Sequence, residues 1–247
     1  MTRVLPVVLP VLLLALLATL PGMALAQQVS IDFDGEGTLA GRGIQLLVLV
    51  TLLSLVPGLL VMITCFPFLV TVLSILRQGI GLQQAPPNML IVTLALFLTY
   101  FVMEPVFVTA WETGVTPLVE GTLTIEEAVP VALSPFRDFM AARIDPDTFD
   151  ALASIREAEG DTALGPMAPL SMLVPSFLLS EIERAFQVGF LIFLPFLIID
   201  LVVAAILMSM GMMMVPPAIV SLPFKLAFFA VADGWTLISS ALVRSYA

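Results

Sequence analysis

The stretch MSMGMMMVPP, residues 208–217, separates two long apolar segments in the last third of the chain. Five methionines fall within seven of its positions, and they are followed by two adjacent prolines. Glycine and proline favour a turn here, at a hinge made of Gly211, Pro216 and Pro217. Because methionine is flexible and polarizable, its repetition at a turn indicates a deformable apolar surface, of the kind that a seal or gate needs. Ordinary core filling and a lipid-facing turn are the alternatives.

The composition around this stretch is that of a membrane protein. Of 247 residues, 60% are hydrophobic and 11% are charged, and several apolar runs are long enough to span a bilayer. We therefore expect an all-α integral membrane protein with about four long hydrophobic helices, some of them kinked or broken. The chain has no histidine, and its lone Cys65 has no partner for an intrachain disulfide or cysteine metal site.

These absences set low expectations for catalysis. No Gly-x-x-x-x-Gly-Lys phosphate loop occurs, so nucleotide hydrolysis is not expected. We predict no enzymatic activity, no cofactor, no metal and no nucleic-acid partner.

Residues 1–26 have the pattern of a cleavable signal peptide. Arg3 supplies a charged start, residues 4–20 an apolar run, and Ala24 and Ala26 a small-residue cleavage site. Cleavage after Ala26 makes Gln27 the mature end, outside the cytoplasm. An uncleaved anchor helix is the alternative, but prolines within the run weaken it.

A polar segment, residues 27–43, precedes the first membrane-type helical hairpin, residues 44–110. A straight helix over residues 44–76 would be about 50 Å long, more than the ~30 Å hydrocarbon core. Pro57 and Pro67 are kink points, so we expect this stretch to be bent or broken. Residues 89–110 form the second predicted span.

Residues 111–170 are expected to form an acidic, helical periplasmic insert. Eleven acidic residues stand against three arginines, which gives this segment −8 of the chain's net charge of −10. Thr124 and Glu127 match a capping box that begins a helix. Pro130 and Pro135 are expected to break that helix.

A second helix of the insert is predicted to start at Asp145 and Pro146, as N-cap and first helical residue. Phe149, Leu152 and Ile155 are spaced to share one face of it. We expect the insert to be too small to hold much core alone.

The second membrane-type hairpin, residues 171–247, contains the methionine turn. A capping box at residues 180–183 predicts a helix that runs to Met210, and residues 217–243 form the last long segment. Spans near 44–76, 89–110, 186–210 and 217–243, threaded from an outside N-terminus, place the insert outside and the methionine turn towards the cytoplasm. This orientation rests on the signal peptide, because Arg77 is the only basic residue of the predicted inside loops.

Three ionisable residues lie within the last two apolar segments: Asp200, Lys225 and Asp233. A charge inside a membrane costs several kcal/mol on most scales, so each is a candidate functional residue. A pair that fixes helix packing and assembly is the other interpretation. Lys225 with Asp200 is the preferred pair, and Asp233 is the rival partner.

Several segments carry a resemblance to a known family. Residues 195–202 (PFLIIDLV), 211–217 (GMMMVPP), 222–225 (LPFK) and 231–235 (VADGW) resemble the signature region of FliP, the flagellar type III export-gate family. Further segments match the family pattern in the same order: 73–81 (LSILRQGIG), 84–88 (QAPPN), 94–99 (LALFLT), 135–140 (PFRDFM) and 180–187 (SEIERAFQ). The resemblance covers nearly the whole mature chain.

The resemblance implies a core component of the flagellar protein export gate in the bacterial inner membrane, within the basal body. Several copies would assemble with FliQ, FliR and other export apparatus proteins into a helical gate that unfolded flagellar proteins cross. It also implies that some membrane-type segments pack above the bilayer. In this gate, Met210, Met212, Met213 and Met214 would form an apolar constriction that resists wetting.

One position departs from the family pattern. Many members read Ser-Phe-Thr-Arg where this chain has Cys65, Phe66, Pro67 and Phe68, so a basic residue is lost. The homologous component of virulence secretion systems is an alternative assignment, but the signal peptide and the Val-Pro-Pro after the methionines favour the flagellar branch.

Two other classes of function compete with the gate. A small-solute or ion carrier would use Asp200 and Lys225 in a binding site, with the proline breaks as discontinuous helices. The lack of an internal repeat counts against it. A membrane-anchored scaffold that docks through residues 111–170 leaves the methionine turn unexplained.

Overall fold

The structure, a computed structural model, describes residues 39–81, 86–155 and 163–246. Within these ranges all regular structure is helical. The chain divides into two units, residues 1–48 and 49–247. The described residues of the first unit, 39–48, are helical. The predicted cleavage site at Ala24, Ala26 and Gln27 lies outside the described residues.

The first apolar stretch forms two helices, α1 (Leu39–Met62) and α2 (Phe66–Ile80). The helix is interrupted between them at residues 63–65, where Cys65 is fully buried. Pro67 lies in the first turn of α2, where its missing N–H costs no helical hydrogen bond. Pro57 lies inside α1. Of the two predicted outcomes, bent or broken, the broken helix is the one present.

The next helix, α3 (Asn88–Ala110), continues beyond its predicted end. It passes through a π-helical turn, Trp111–Val115, into the short helix α4 (Thr116–Val119). Gly114 in this turn lies against Ala132, because a Cβ at Gly114 would be 2.5 Å from the Ala132 Cβ. The π turn therefore brings the end of α3 into backbone contact with the insert.

The first helix of the insert is α5 (Ile125–Arg143). The predicted capping box is confirmed, since the Thr124 N–H donates to Glu127 Oε2 at 3.0 Å. The predicted break at Pro130 and Pro135 is wrong, because both lie inside the helix. A proline inside a helix kinks it without ending it where packing holds the segments together, and buried Phe136 anchors this one.

The second helix of the insert, α6 (Pro146–Ile155), begins as predicted. The Thr148 N–H donates to Asp145 Oδ2 at 3.0 Å, which makes Asp145 the N-cap. Phe149 is fully buried, whereas Ile155 is exposed, so the predicted shared face does not extend to the last turn. Phe149 and Leu152 pack on the next helix, so the core of the insert is completed by residues of that helix.

The longest helix, α7 (Leu170–Ser209), has 40 residues, about 60 Å of rise. The predicted start at Ser180 is wrong, because Ser180 lies one quarter of the way along the helix. Its hydroxyl donates to the Ser176 carbonyl at 2.8 Å and accepts from the Asp145 N–H at 3.0 Å. The serine thus joins α7 to the start of α6 instead of capping α7.

The last apolar segment is divided into α8 (Pro217–Val231) and α9 (Gly234–Arg244), which meet at an angle of 61°. The prediction of one long segment over 217–243 is therefore corrected. Asp233 stands at the bend in the left-handed region, with φ 49° and ψ 48°. A Cβ at Gly234 would be 2.2 Å from the Phe229 ring, so the bend depends on this glycine.

Helix α2 lies at the centre of the main core and packs against α7, α3 and α8. Among the described residues, two helical stretches are long and apolar enough to cross a membrane, Asn88–Val119 and Leu170–Ser209. The bent pair α8 and α9 makes a third if it counts as one span. The predicted number of four long helices is therefore not confirmed within the described residues.

Candidate functional site

The charged pair of the last two apolar segments is formed between α7 and α8. Lys225 Nζ lies 2.6 Å from Asp200 Oδ2. The Lys225 side chain is 6% exposed, whereas that of Asp200 is 32% exposed. The charge of Lys225 can therefore be compensated only by neighbouring protein groups, whereas the Asp200 carboxylate is also partly exposed at the protein surface.

Two further groups complete this site. Ser221 Oγ donates to Asp200 Oδ1 at 2.5 Å, and Lys225 Nζ donates to the Gly79 carbonyl of α2 at 3.1 Å. Ser221 and Lys225 are four residues apart, so they share one face of α8. The site ties three helices together, because Asp200 of α7 accepts from Ser221 and Lys225 of α8, and Lys225 also donates to α2.

Asp233 does not take part in this site. It stands at the bend before α9, where its Oδ1 accepts from Thr236 Oγ1 at 3.2 Å. Of the three charges that the sequence has in its last two apolar segments, the structure brings two together and places the third at a helix start.

The methionine turn ends α7 through a glycine cap. The Met212 N–H donates to the Leu207 carbonyl at 3.0 Å, and the Gly211 N–H donates to the Met208 carbonyl at 3.0 Å. Gly211 has φ +74°. These are the two hydrogen bonds of a Schellman motif, which satisfies the last carbonyls of the helix. Pro216 then precedes Pro217, the first residue of α8.

All five methionines of the turn are exposed: Met208, Met210, Met212, Met213 and Met214. The last two are 83% and 97% exposed. Core filling would bury these side chains, so in this chain they are not core. Exposed apolar side chains clustered at one turn are the usual mark of a contact surface.

The two candidate features lie on one helix. Met208 follows Asp200 by eight residues, a rise of about 12 Å along α7. Between them, α7 and α8 border an apolar cleft of about 400 Å³. Its lining includes Val203, Leu207 and Phe224. The ion pair therefore holds the two helices together at one end of the cleft, and the methionine turn joins them at the other.

A second charged cluster was missed in the sequence. Glu181 of α7 is fully buried, and its Oε1 accepts from Arg143 Nε and Arg184 Nη1, each at 3.1 Å. Its Oε2 accepts from the Tyr246 hydroxyl. The sequence places Glu181 and Arg184 three residues apart, which signals a pair, but Arg143 and Tyr246 are too distant in sequence to be found.

Metal binding has no support in the described ranges, where no three histidine, cysteine, aspartate or glutamate side chains converge.

Fold and site together define an all-helical protein of membrane type, with a partly buried ion pair between its last apolar helices and an exposed methionine turn. A model of the FliP family matches residues 49–242. The chain belongs to the FliP family.

Relatives in distant bacteria are similar over nearly the whole chain. The flagellar biosynthetic protein FliP of Agrobacterium fabrum is 44% identical over 237 residues, which is 94% of this chain and 97% of the relative. That of Caulobacter vibrioides is 44% identical over 93% of this chain and 86% of its own length. That of Bacillus subtilis is 42% identical over 82% of this chain and 91% of its own.

Proposed function

We propose that this protein is a core subunit of the flagellar type III export gate, through which unfolded flagellar proteins leave the cytoplasm. Family membership supports the flagellar assignment, since the relatives are named flagellar biosynthetic proteins. The single observation that carries the gate role is the exposed methionine turn at the end of α7. The protein acts without chemistry of its own, by forming and closing a passage.

The seal consists of Met210, Met212, Met213 and Met214, repeated in several copies around the passage. An apolar ring excludes water when it is narrow, and this blocks ions. Because methionine side chains repack readily, the ring stays fitted around a moving chain of varied sequence. Gly211, Pro216 and Pro217 set the direction of the turn and act as its hinge.

Assembly in several copies with FliQ and FliR is the second part of the proposal. The outward faces of α3 and α7 carry large apolar side chains, among them Phe97, Phe101, Phe186 and Phe190. A soluble protein rarely exposes such a surface, so it faces either lipid or neighbouring subunits. Both fit a multi-pass protein of the bacterial inner membrane, within the basal body.

The ion pair serves packing and assembly in this proposal. Lys225 is 6% exposed and already donates to Asp200 and to the Gly79 carbonyl, so a solute has little access to its ammonium group. This supports an assembly role over a carrier site. Asp233 contributes to packing as the residue before α9, at the bend between α8 and α9.

The seal is tested by replacing Met212, Met213 and Met214 with alanine together and measuring ion leak through cells with an opened export gate. The matched control replaces three exposed methionines elsewhere, Met62, Met89 and Met167. We expect leak to rise in the first variant and to stay at the wild-type level in the control. An assembled gate with unchanged leak in the first variant would remove the seal role.

A further inference from the structure

The carboxyl-terminal end of the described chain touches three helices through one side chain. The Tyr246 ring lies edge-on to Phe68 of α2, with centroids 5.5 Å apart. It stacks on Phe139 of α5 at 6.1 Å and an interplanar angle of 18°. Its hydroxyl donates to Glu181 of α7. A residue outside every helix therefore joins α2, the insert and α7.

Arg143, the last residue of α5, closes the same cluster from the insert side. Its guanidinium carbon lies 4.1 Å from the centroid of the Tyr246 ring, a cation–π geometry. Its Nη1 donates to the Ser245 carbonyl at 2.9 Å, and its Nε donates to Glu181 at 3.1 Å. Arg143 of the insert thus contacts both the Ser245 backbone and the Tyr246 ring.

The tyrosine is held in its donor form. Burial and the adjacent Glu181 carboxylate raise the pKa of the Tyr246 phenol, so its hydroxyl stays protonated at neutral and moderately alkaline pH. Glu181 is balanced by two arginines, which makes its burial tolerable. The hydroxyl is therefore available as a donor to Glu181 at physiological pH.

Helix α9, which precedes this contact, has few buried residues of its own. Within α9 the buried residues are Gly234 and Leu242. An apolar cleft of about 390 Å³ lies between α9 and α7, lined among others by Val188 and Ile238. The main helical neighbours of α9 are α3 and α8. Leu242 anchors α9 in the main core, with Trp235 and Ile238 partly buried beside it, and the residues that follow α9 add its polar connection to α7 and to the insert.

We propose that Ser245 and Tyr246 form a latch that couples the α8–α9 segment to α5, so that this segment and the acidic insert move as one body. A displacement of α8, which begins at the methionine turn, passes through α9 and Tyr246 to Arg143. Without the latch, the α8–α9 segment and the insert move independently. The latch does not depend on the export role proposed above.

Hydrogen exchange of the purified full-length protein tests the latch. Tyr246→Phe removes the hydroxyl bond to Glu181, and Tyr246→Ala removes the ring as well. We expect exchange in residues 125–143 and 234–244 to accelerate about tenfold in the first variant and further in the second. Residues 70–80 of α2 should keep their protection. The control is Tyr100→Phe, at a tyrosine that is 62% exposed.

A second variant measures the coupling itself. Met140→Ala loosens α5, because Met140 is buried in the core shared by the insert and α7. With an intact latch this change should also accelerate exchange in residues 234–244, and in the Tyr246→Ala background it should not. If Tyr246→Ala accelerates exchange equally along the whole chain, Tyr246 is an ordinary core residue. If Met140→Ala does not accelerate exchange in residues 234–244 of the protein with Tyr246, then α5 and α9 are independent. Either result overturns the latch.

Discussion

Lys225 and Asp200 are 25 residues apart in sequence and 2.6 Å apart in space, but they are unequally buried. The lysine is enclosed, and the aspartate is about a third exposed. Removing Asp200 should therefore destabilise the fold more than removing Lys225. Without Asp200, a buried ammonium keeps only the Gly79 carbonyl, whereas without Lys225 the carboxylate keeps Ser221 and its exposed side.

Asp200→Asn is expected to lower the free energy of unfolding by about 3 kcal/mol, because it leaves the buried charge uncompensated. Lys225→Met should cost less, about 1 kcal/mol, since its apolar stem is replaced and Asp200 is partly exposed. The double variant should be more stable than Asp200→Asn alone. Unfolding of the detergent-purified variants measures all three. Additive costs would contradict the coupling.

The close approach of Gly114 to Ala132 predicts a strong effect of one methyl group. A Cβ at Gly114 would lie 2.8 Å from the Ala132 Cα and 2.9 Å from its nitrogen, so backbone has to move. Gly114→Ala should destabilise the protein by about 1–3 kcal/mol and lower its Tm.

Gly58→Ala is the matched control for this change. Nothing lies within 4 Å of a Cβ at Gly58, which is inside α1, so alanine there should be neutral or stabilising. Equal Tm values for the Gly114 and Gly58 variants would show that the π turn accommodates the added methyl group.

Gly211 predicts a local effect on the methionine turn. Its φ of +74° is unfavourable for other residues, so Gly211→Ala should destabilise the end of α7 by about 1 kcal/mol. Faster hydrogen exchange of the Gly211 and Met212 amides would report the loss. Gly165→Ala, at a glycine without positive φ and with open space around it, serves as the control. Unchanged exchange at both sites would argue that the cap does not hold the turn.

Glu127 predicts a pH dependence at the start of α5. The hydrogen bonds from the Thr124 N–H and hydroxyl lower the pKa of Glu127. A lowered pKa in the folded state stabilises the capping box above the ordinary glutamate pKa of about 4.3. The stabilisation should fall as the pH drops below that value and vanish once the folded carboxyl is protonated. Protection factors of the amides of residues 125–128, which are corrected for the intrinsic pH dependence of exchange, measure this, and Glu127→Gln should abolish their dependence on pH.

Local signals in the sequence were enough for several features of the fold. The capping box at Thr124 and Glu127 and the N-cap at Asp145 are short-range hydrogen bonds, and they are present as predicted. The length and the prolines of the first apolar stretch predict a bend or a break, and the break is the one present. Pairing of Lys225 with Asp200 follows from the high cost of leaving either charge alone in an apolar segment.

Other features depend on contacts that no local pattern contains. Ser180 matches a capping box, but α7 begins ten residues earlier, and the Ser180 hydroxyl accepts one tertiary hydrogen bond, from the Asp145 N–H. Pro130 and Pro135 were expected to end α5, but the packing of Phe136 carries the helix through them. The contact of Tyr246 with Glu181 spans 65 residues, and its partners are brought together by the fold alone.

Native mass spectrometry of this protein, coexpressed with FliQ and FliR and extracted in mild detergent, tests the gate assignment most directly. The gate predicts a defined hetero-oligomer that contains several copies of this chain. A stable monomer or homodimer that does not bind either partner would contradict it and favour a carrier that uses Asp200 and Lys225.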